Sequence, residues 1–365
     1  MNEYTIELNS ARKDTVVNGN IRRESPVVEV YSAMSNGEDI AKFGDKGDKS
    51  VEYIKKLGER AMGGDYNAVS EINQIRRVIM EPLVVEEAKL LGIFGNYQAL
   101  PMDETIEREV YNYVGGGARI QAMNGDVTFP MLNREVYPVE GVTVSGGFQN
   151  DYRKIANGNL DEENRGMQMV RTDIMNKATH YVMKKIYSAV KAAGVKYFAE
   201  GANISKSDLD AVMRKVRRLG PVSIVGAYAT VSQINGFANW VNTAGTFNGI
   251  ADAAMEEIRK NGLLSFYNGA AIREIPVGLD YNRLNATGDD FVTTIPEGLL
   301  FVLPNGNRSP IATFTRGGLT SFTGNDVSTG RNLTRFDLIV AADIAKGHEF
   351  EIGMMNDTNI TPAGL

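Results

Sequence analysis

Apolar residues recur at helical spacing in the stretch that follows Asp65. They are Val69, Ile72, Ile75, Val78 and Ile79. Positions three and four apart share one face of a helix, so this pattern predicts an amphipathic helix between residues 65 and 91. Pro82 lacks a backbone N–H, and we expect it to interrupt the segment, which then forms one or two helices.

A second helical stretch is the most regular in the chain. Its apolar residues follow one another at intervals of four: Val170, Ile174, Ala178, Val182, Ile186 and Val190. Asn159 and Glu162 have the spacing of a capping box, and Gly194 can end the helix in the left-handed conformation. The sequence therefore predicts a helix over 160–193, with Gly166 as a weak point that can delay its start.

Residues 110–151 have the alternating pattern of strands. The stretch RIQAMNGDVTFPM alternates around Asn124 and Gly125, two residues that tolerate the positive φ of a tight hairpin turn. The next stretch, EVYPVEGVTVSGG, predicts a further strand pair. A two-stranded hairpin is marginal in water on its own. We therefore expect this one to lie on something else, and a second subunit is one such support.

The remaining segments alternate short helices and strands. A helix over DLDAVMRKVRRL ends at Gly220 and Pro221, VSIVGAY is predicted to be a buried strand, and a helix is predicted over 250–260. AAIREIPV, FVTTIPEGLLFVLP and IATFTR predict strands, and RFDLIVAADI with HEFEIGMM predicts a closing hairpin across 345–347. Residues 1–50 show little periodicity. The predicted fold class is α+β, without a regular βαβ array.

Charge and composition limit the kinds of chemical site that the chain can hold. The chain of 365 residues has a net charge of -6, no Cys and two His, which excludes disulfides, thiolate metal sites and a generally basic nucleic-acid binder. His180 and His348 are far apart in sequence; we interpret His180 as structural and His348 as an exposed strand residue. We therefore predict no catalytic residues, no metal site and no cofactor.

Three charged motifs have plain structural interpretations. GDKGDKS at 44–50 lacks the spacing of a phosphate loop and is interpreted as a solvated turn. The acidic run Asp161, Glu162 and Glu163 is interpreted as a helix cap, because consecutive helical carboxylates point in different directions. The basic run over 214–218 is interpreted as a solvated helix face, with a contact to a neighbouring subunit as the alternative. Nucleic-acid binding there is disfavoured because aromatic residues are not interleaved with the cations.

The order of these parts resembles the HK97-fold major capsid protein of tailed bacteriophages over nearly the whole chain. GARIQAMNGDVTFPMLNREVYPVEGVTVSGG is similar to the extended loop of that family, DEENRGMQMVRTDIMNKATHYVMKKIYSAV to its spine helix, and KSDLDAVMRKVRRLGPVSIVGAY to the start of its axial domain. IREIPVGLD with TTIPEGLLFVLPNG is similar to its late strand pair.

The resemblance implies a division of the chain into consecutive segments. These are an N-terminal arm (1–64), a helical segment leading into the peripheral domain (65–107), the extended β-hairpin loop (108–152), the spine helix of the peripheral domain (153–200), the axial domain (201–330), and closing strands with a C-terminal tail (331–365).

For function, the resemblance implies a structural, non-catalytic protein that self-assembles as pentamers and hexamers into an icosahedral shell around double-stranded phage DNA. Such a virion capsid is assembled in the bacterial cytoplasm without a membrane. Its partners can include portal and decoration proteins, and we expect any scaffolding protein to be a separate chain. Some relatives crosslink subunits through a Lys of the extended loop. Because residues 90–153 contain no Lys, we expect no such crosslink here.

Aromatic and Arg side chains anchor many protein interfaces. On that basis the predicted intersubunit contacts in and beside the extended loop are Arg119, Phe129, Arg134, Tyr137 and Phe148.

Three other classes of protein stay open. An encapsulin-type nanocompartment would keep the fold and enclose enzymes in place of DNA, although its subunits are usually shorter and lack a long arm and loop. A soluble α+β enzyme would have to rely on carboxylates alone. The long helix argues against a tail or decoration protein. The DNA content and the size of the purified particles separate these classes.

Deleting residues 119–134 should leave a subunit that folds but cannot form a closed shell, because the predicted strap to a neighbour is lost. Negative-stain electron microscopy with light scattering measures the outcome. Normal shells from the deleted chain would refute the strap interpretation.

Overall fold

The protein is described by a computed structural model that covers residues 26–35, 39–115, 120, 123, 125, 129–157, 161–195, 197–237, 258, 260–285, 287–305, 309–326 and 331–360. The chain divides into two compact units. Unit 1 contains the described residues within 1–91, Val142–Thr179 and Thr315–Val340. Unit 2 contains those within Gly92–Gly141, His180–Phe314 and Ala341–Leu365.

Unit 1 combines helices with a segment of antiparallel sheet. Its helices are α1 (Pro26–Ser35), α2 (Asp45–Met62), α3 (Tyr66–Ala88), α4 (Tyr152–Ala156) and the first half of α5 (Asp161–Ala192). Its strands are β4 (Val142–Asp151) and the unit 1 parts of β12 (Ile311–Asp326) and β13 (Arg331–Ile344), which lie in the order β12, β13, β4. β13 and β4 are antiparallel, from Arg331 opposite Asp151 to Val340 opposite Val142.

The helices of unit 1 differ from the prediction at their beginnings. The interpretation of 44–50 as a solvated turn is wrong, because α2 begins at Asp45 and buries Gly47 and Ser50. Acidic residues in its first turn favour that helix start. The helix behind Asp65 is confirmed, with Asp65 as its N-cap, but Pro82 lies inside it and does not interrupt it.

The long helix is also confirmed, with bounds close to those predicted. Residues 158–160, including the proposed cap Asn159, lie outside the described residues. Gly166 does not delay the start of α5: a Cβ at this position would lie 2.9 Å from the Phe148 ring. The glycine therefore allows the close packing of that ring on the helix.

A buried ion pair lies at the centre of unit 1. Arg76 of α3 donates from Nε to Glu163 Oε1 of α5 at 2.6 Å, and their side chains are 0% and 2% exposed. Arg76 Nη1 also donates to Asn332 Oδ1 (2.6 Å) and Thr334 Oγ1 (2.7 Å) on β13. The pair thus joins two helices and a strand, and the interpretation of Glu163 as a simple helix cap is wrong.

Groups around the ion pair complete the cluster. Asn150 Nδ2 donates to Glu163 Oε2 at 3.3 Å, and the Arg76 guanidinium lies 5.4 Å from the centre of the Phe148 ring. Burial, together with the negative charge of Glu163, raises the pKa of Tyr31 well above its usual value. Tyr31 therefore keeps its proton beside the carboxylate.

Unit 2 is built on a six-stranded mixed sheet with the strand order β5-β14-β11-β6-β8-β7. The strands are β5 (Phe198–Gly201), β6 (Val222–Ala227), β7 (Phe266–Tyr267), β8 (Ala270–Ile275), β11 (Leu299–Pro304) and β14 (Gly353–Asp357). β14 is parallel to β5 and β6 is parallel to β8, while the other neighbours are antiparallel. This mixture confirms the α+β class.

Helix α6 (Lys206–Val216) packs its apolar face on this sheet, and Ser205 Oγ accepts from Asp208 N at its start. The buried apolar cluster between them includes Leu209, Val212 and Val302. The short helix α7 (Tyr228–Val231) follows β6. Outside the main sheet, β9 (Leu279–Leu284) pairs with β10 (Phe291–Thr293), and unit 2 also contains β1 (Asn96–Leu100), β2 (Glu107–Val114) and β3 (Met131–Pro138).

Two predicted strand pairings are wrong. EVYP and VTVSGG do not pair with each other, because the first pairs with β2 and the second with β13. β13 and β14 form no hairpin across 345–347, since β14 joins β11 and β5. The late pair of 272–280 with 293–306 is present where Leu279 lies opposite Thr293, while β8 and β11 each pair with β6. Alternation marks each strand but does not select its partner. Of the helix predicted over 250–260, residues 250–257 and 259 lie outside the described residues.

Arg76→Met should destabilise the protein by about 3 to 5 kcal/mol, because Glu163 would remain as a buried charge without its partner. The matched control is Arg77→Met, whose half-exposed ion pair with Glu81 predicts a loss below about 1 kcal/mol. Chemical unfolding followed by circular dichroism measures both. Equal losses in the two variants would contradict a central role of the buried pair.

Candidate functional site

The hairpin of β2 and β3 forms a two-stranded sheet of its own. Its strands are antiparallel, from Glu107 opposite Pro138 to Val114 opposite Met131. Because side chains alternate between the faces of a strand, Arg108, Asn112 and Tyr137 share one face. Glu109, Tyr111 and Arg134 share the other.

Near the start of the hairpin, its first face is anchored to the rest of unit 2. Tyr137 Oη donates to Asp343 Oδ2 at 2.8 Å, and the Lys346 ammonium lies 4.2 Å from the centre of the Tyr137 ring. Arg108 donates to the Pro310 carbonyl at 3.0 Å. Burial, reinforced by the Asp343 carboxylate, raises the pKa of Tyr137 to about 12. The hydroxyl therefore remains a donor across the physiological range.

Two further contacts extend this anchor. His348 Nε2 lies 3.3 Å from Asn112 Oδ1 on β2, while its Nδ1 lies 2.8 Å from Glu351 Oε1. A small apolar cluster that includes Ile106 and Phe314 packs beside the first residues of the hairpin. His348 is thus partly buried and precedes a 3₁₀ turn, so its interpretation as an exposed strand residue is wrong.

The second face carries a polar cluster of its own. Glu109 accepts from Tyr111 of its own strand and from Arg134 of the opposite strand. These hydrogen bonds, that of Tyr111 first, hold the pKa of Glu109 below its usual value. Arg134 is exposed and this contact lies within the hairpin. The cluster stabilises the pairing of the strands without covering them.

The far end of the hairpin is apolar on both faces and uncovered by the described chain. We call this set of exposed residues the hairpin tip: Val114, Ile120, Met123, Phe129, Met131 and Leu132. Phe129 is 87% exposed and Met131 is 69% exposed. Exposed apolar side chains gathered in one region mark an interaction site more often than scattered ones do. The hairpin therefore has a fixed base and a tip that lacks a partner within the described residues.

The predicted contact residues fall in different places. Phe129 lies in the tip, Arg134 on the exposed second face and Tyr137 in the anchor. Phe148 lies in unit 1, where its ring stacks on Phe336 with centres 6.4 Å apart. Arg119 and Asn124 lie outside the described residues.

Sequence reasoning missed most of the tip. Of the tip residues, the sequence predicts only Phe129 as a contact, because it is aromatic. It does not predict Val114, Met131 or Leu132. A signal was present: apolar residues occupy consecutive positions at 131 and 132, where a half-buried strand would alternate. Loss of alternation at the end of a hairpin indicates that apolar side chains on both of its faces must be buried by another surface.

The described residues hold no group of three or more His, Asp or Glu side chains that could bind a metal ion. His180 is half-buried on α5. Among the helices that the structure describes, none is long and apolar enough to span a membrane. The most prominent chemical feature of unit 2 outside its core is therefore the hairpin surface.

Comparison with known proteins places these features in a family. A family model described as "SPbeta prophage-derived putative capsid protein YonB" matches residues 8–356. The search of curated proteins finds no match.

Many solved structures are distantly similar. One from Microbacterium phage Oxtober96 is 12% identical with a TM-score of 0.47, covering 71% of this chain and 88% of that one. A virus-like particle from Pyrococcus furiosus is 11% identical with a TM-score of 0.42, covering 76% and 97%. An encapsulin complex from Synechococcus elongatus is 10% identical with a TM-score of 0.43, covering 76% and 90%. Likenesses this distant carry no argument about function.

Tyr137→Phe should loosen the hairpin by roughly 1 to 2 kcal/mol, since Asp343 loses its hydroxyl donor. Amide hydrogen exchange should then be about tenfold faster in β2 and β3, with the six-stranded sheet unchanged. Tyr111→Phe on the exposed face is the control and should alter exchange little. The same acceleration in both variants would contradict the anchor.

Proposed function

Because the chain belongs to the YonB family of capsid proteins, we propose that it is the shell-forming major capsid protein of a phage or prophage particle, and that the hairpin tip joins neighbouring subunits. The shell is icosahedral, is built from pentamers and hexamers, and encloses double-stranded DNA. The protein acts by assembly and not by catalysis. The single observation that carries the role of the hairpin is its uncovered apolar tip on an anchored base.

The anchor and the tip have complementary roles in this proposal. The contacts of Tyr137 and Arg108 set the direction of the hairpin before any neighbour arrives. Pre-organised binding elements lose less entropy on association than flexible ones. The tip then gains the free energy of apolar burial, at roughly 25 cal/mol per Å². A shell repeats this contact for each subunit, so a modest gain per contact suffices.

The proposed occupant of the tip is a second copy of the same chain. Closed shells of one protein need contacts that every subunit both offers and receives. Phe129 and Arg134 are exposed and available for such contacts, while Tyr137 and Phe148 support them from within the chain. Arg119 stays a proposed contact. Scaffolding, portal and decoration proteins are further proposed partners, and the bacterial cytoplasm is the proposed place of assembly.

Phe129→Ser combined with Leu132→Thr should leave the subunit folded and raise the protein concentration needed for assembly at least about tenfold, because central apolar anchors contribute more than about 1 kcal/mol each. Light scattering and negative-stain electron microscopy measure shell formation, and circular dichroism checks folding. Tyr66→Ser, which removes an exposed aromatic residue of α3, is the matched control.

Three results would count against the proposal. Normal shells from the double variant would remove the tip from the interface. A wild-type chain that stays a monomer or dimer at all salt and protein concentrations would contradict shell formation itself. Particles that enclose protein in place of DNA would assign the shell to a nanocompartment.

A further inference from the structure

The second half of α5 and the segment after it carry an unusual charge pattern. From His180 to Ala199 the sequence contains Lys184, Lys185, Lys191 and Lys196 and not one Asp or Glu, although the whole chain has more acidic than basic residues. Lys196 lies outside the described residues. The positive charge is therefore concentrated locally in a protein of net charge -6.

Two of these lysines lie on one exposed helix face. Lys184 and Lys191 are seven residues apart, which places them on the same side of α5 about 10 Å from each other. Both are exposed. Lys185 is exposed as well, but it also lines a small cavity together with Asp343 and Glu349.

Aromatic rings connect this helix face to a third cation on α6. The Lys191 ammonium lies 5.2 Å from the centre of the Tyr187 ring, and the Lys215 ammonium lies 4.9 Å from that of Tyr197. Tyr187 in turn contacts Phe198, with ring centres 6.2 Å apart. Lys184, Lys191 and Lys215 with these rings form what we call the basic face. All of these residues belong to unit 2.

Hydrogen bonding favours the charged form at one end of this face. Lys191 Nζ donates to Tyr187 Oη at 3.0 Å, and this bond raises the pKa of Lys191. Glu200 is the nearby carboxylate, and it accepts from Asn356 Nδ2 at 2.9 Å. The helix dipole favours a cation in the last turn of α5, where Lys191 lies, but not two turns earlier at Lys184. The dipole therefore does not explain the whole pattern.

We propose that the basic face contacts the sugar-phosphate backbone of the DNA enclosed by the shell. This inference rests on the proposed function. Charge complementarity identifies the partner, since two exposed cations on α5, a half-buried one on α6 and the absence of Asp and Glu from 180 to 199 fit a dense polyanion. Lysines about 10 Å apart can reach separate phosphates of one duplex. The contact carries no sequence information, because phosphates are alike at every base pair.

The acidic remainder of the chain limits the strength of this contact. A duplex that meets only three cations per subunit gains a weak, salt-sensitive attraction. Repeated over a shell, such contacts order the outer layer of DNA and still release it. A uniformly basic inner wall would hold the genome at every phosphate.

The test measures binding of the full chain to a fluorescent 40-base-pair duplex by anisotropy as salt is varied. Lys184→Gln, Lys191→Gln and Lys215→Gln together should weaken binding roughly tenfold at low salt and reduce the slope of log K against log salt by about 2 to 3, at about 0.9 per lost phosphate contact. The corresponding triple change to Arg should retain binding, because it keeps the charges.

The matched control removes three exposed lysines from α2, in unit 1: Lys46→Gln, Lys49→Gln and Lys55→Gln. These lie among acidic residues of the same helix, so little change is expected. Unchanged binding in the Lys184, Lys191 and Lys215 variant, or an equal loss in the control, would overturn the inference. Equal affinity for polyglutamate would overturn the assignment to nucleic acid.

Light scattering and electron microscopy of the same samples separate this inference from the proposed function. If the wild-type chain forms no shells, the proposed function fails whatever the duplex measurement gives. If shells form and the lysine changes leave duplex binding intact, only the basic face is refuted.

Discussion

The buried pair of Arg76 and Glu163 is the contact on which unit 1 depends. Removing two charges from water is costly, and the cost is offset only when the geometry is good and the remaining donors and acceptors are bonded. Asn332 and Thr334 accept from Arg76 Nη1, and Asn150 donates to Glu163 Oε2. The pair requires the long helix, the preceding helix α3 and strand β13 to be in place together, because no one of them can satisfy the charges alone. Because the three elements must come together at once, the cluster selects one arrangement of unit 1 as well as stabilising it. The Phe148 ring packs closely against Gly166 beside this cluster.

The hairpin of β2 and β3, in contrast, is held at one end only. Its base is held by hydrogen bonds and by the cation over the Tyr137 ring, whereas its tip has apolar side chains that no other described residue covers. A monomeric protein would gain stability by making these residues polar. Their presence is reasonable in a capsid protein, where the free energy withheld from folding becomes available for assembly. Because the base and the tip are separate, the subunit can fold first and bury the tip later, during assembly.

The charge distribution fits the same division of roles. The chain is acidic overall, which keeps subunits soluble and limits adhesion to nucleic acid. Against that background the basic face is a local exception, made from two segments of unit 2 that are connected by aromatic rings. Weak contacts of this kind are useful in a container, because they scale with the number of subunits and weaken quickly as salt rises.

The sequence by itself determined the long helix, the helix behind Asp65, the strand character of β3 and β4 and the α+β class, because periodicity and capping are local and each segment displays its own pattern. It also revealed the order of parts that resembles a capsid protein. Only the tertiary structure decided which strands pair, that Glu163 is the partner of Arg76 and not a cap, and that GDKGDKS opens a helix. It also supplied the aromatic ring that the basic run lacks in sequence, since Tyr197 lies against Lys215 from another segment. The physical reason is common to these cases: strand pairing, ion pairing and ring contacts join residues far apart in the chain, and a local pattern shows that a side chain needs a partner without showing which one it finds.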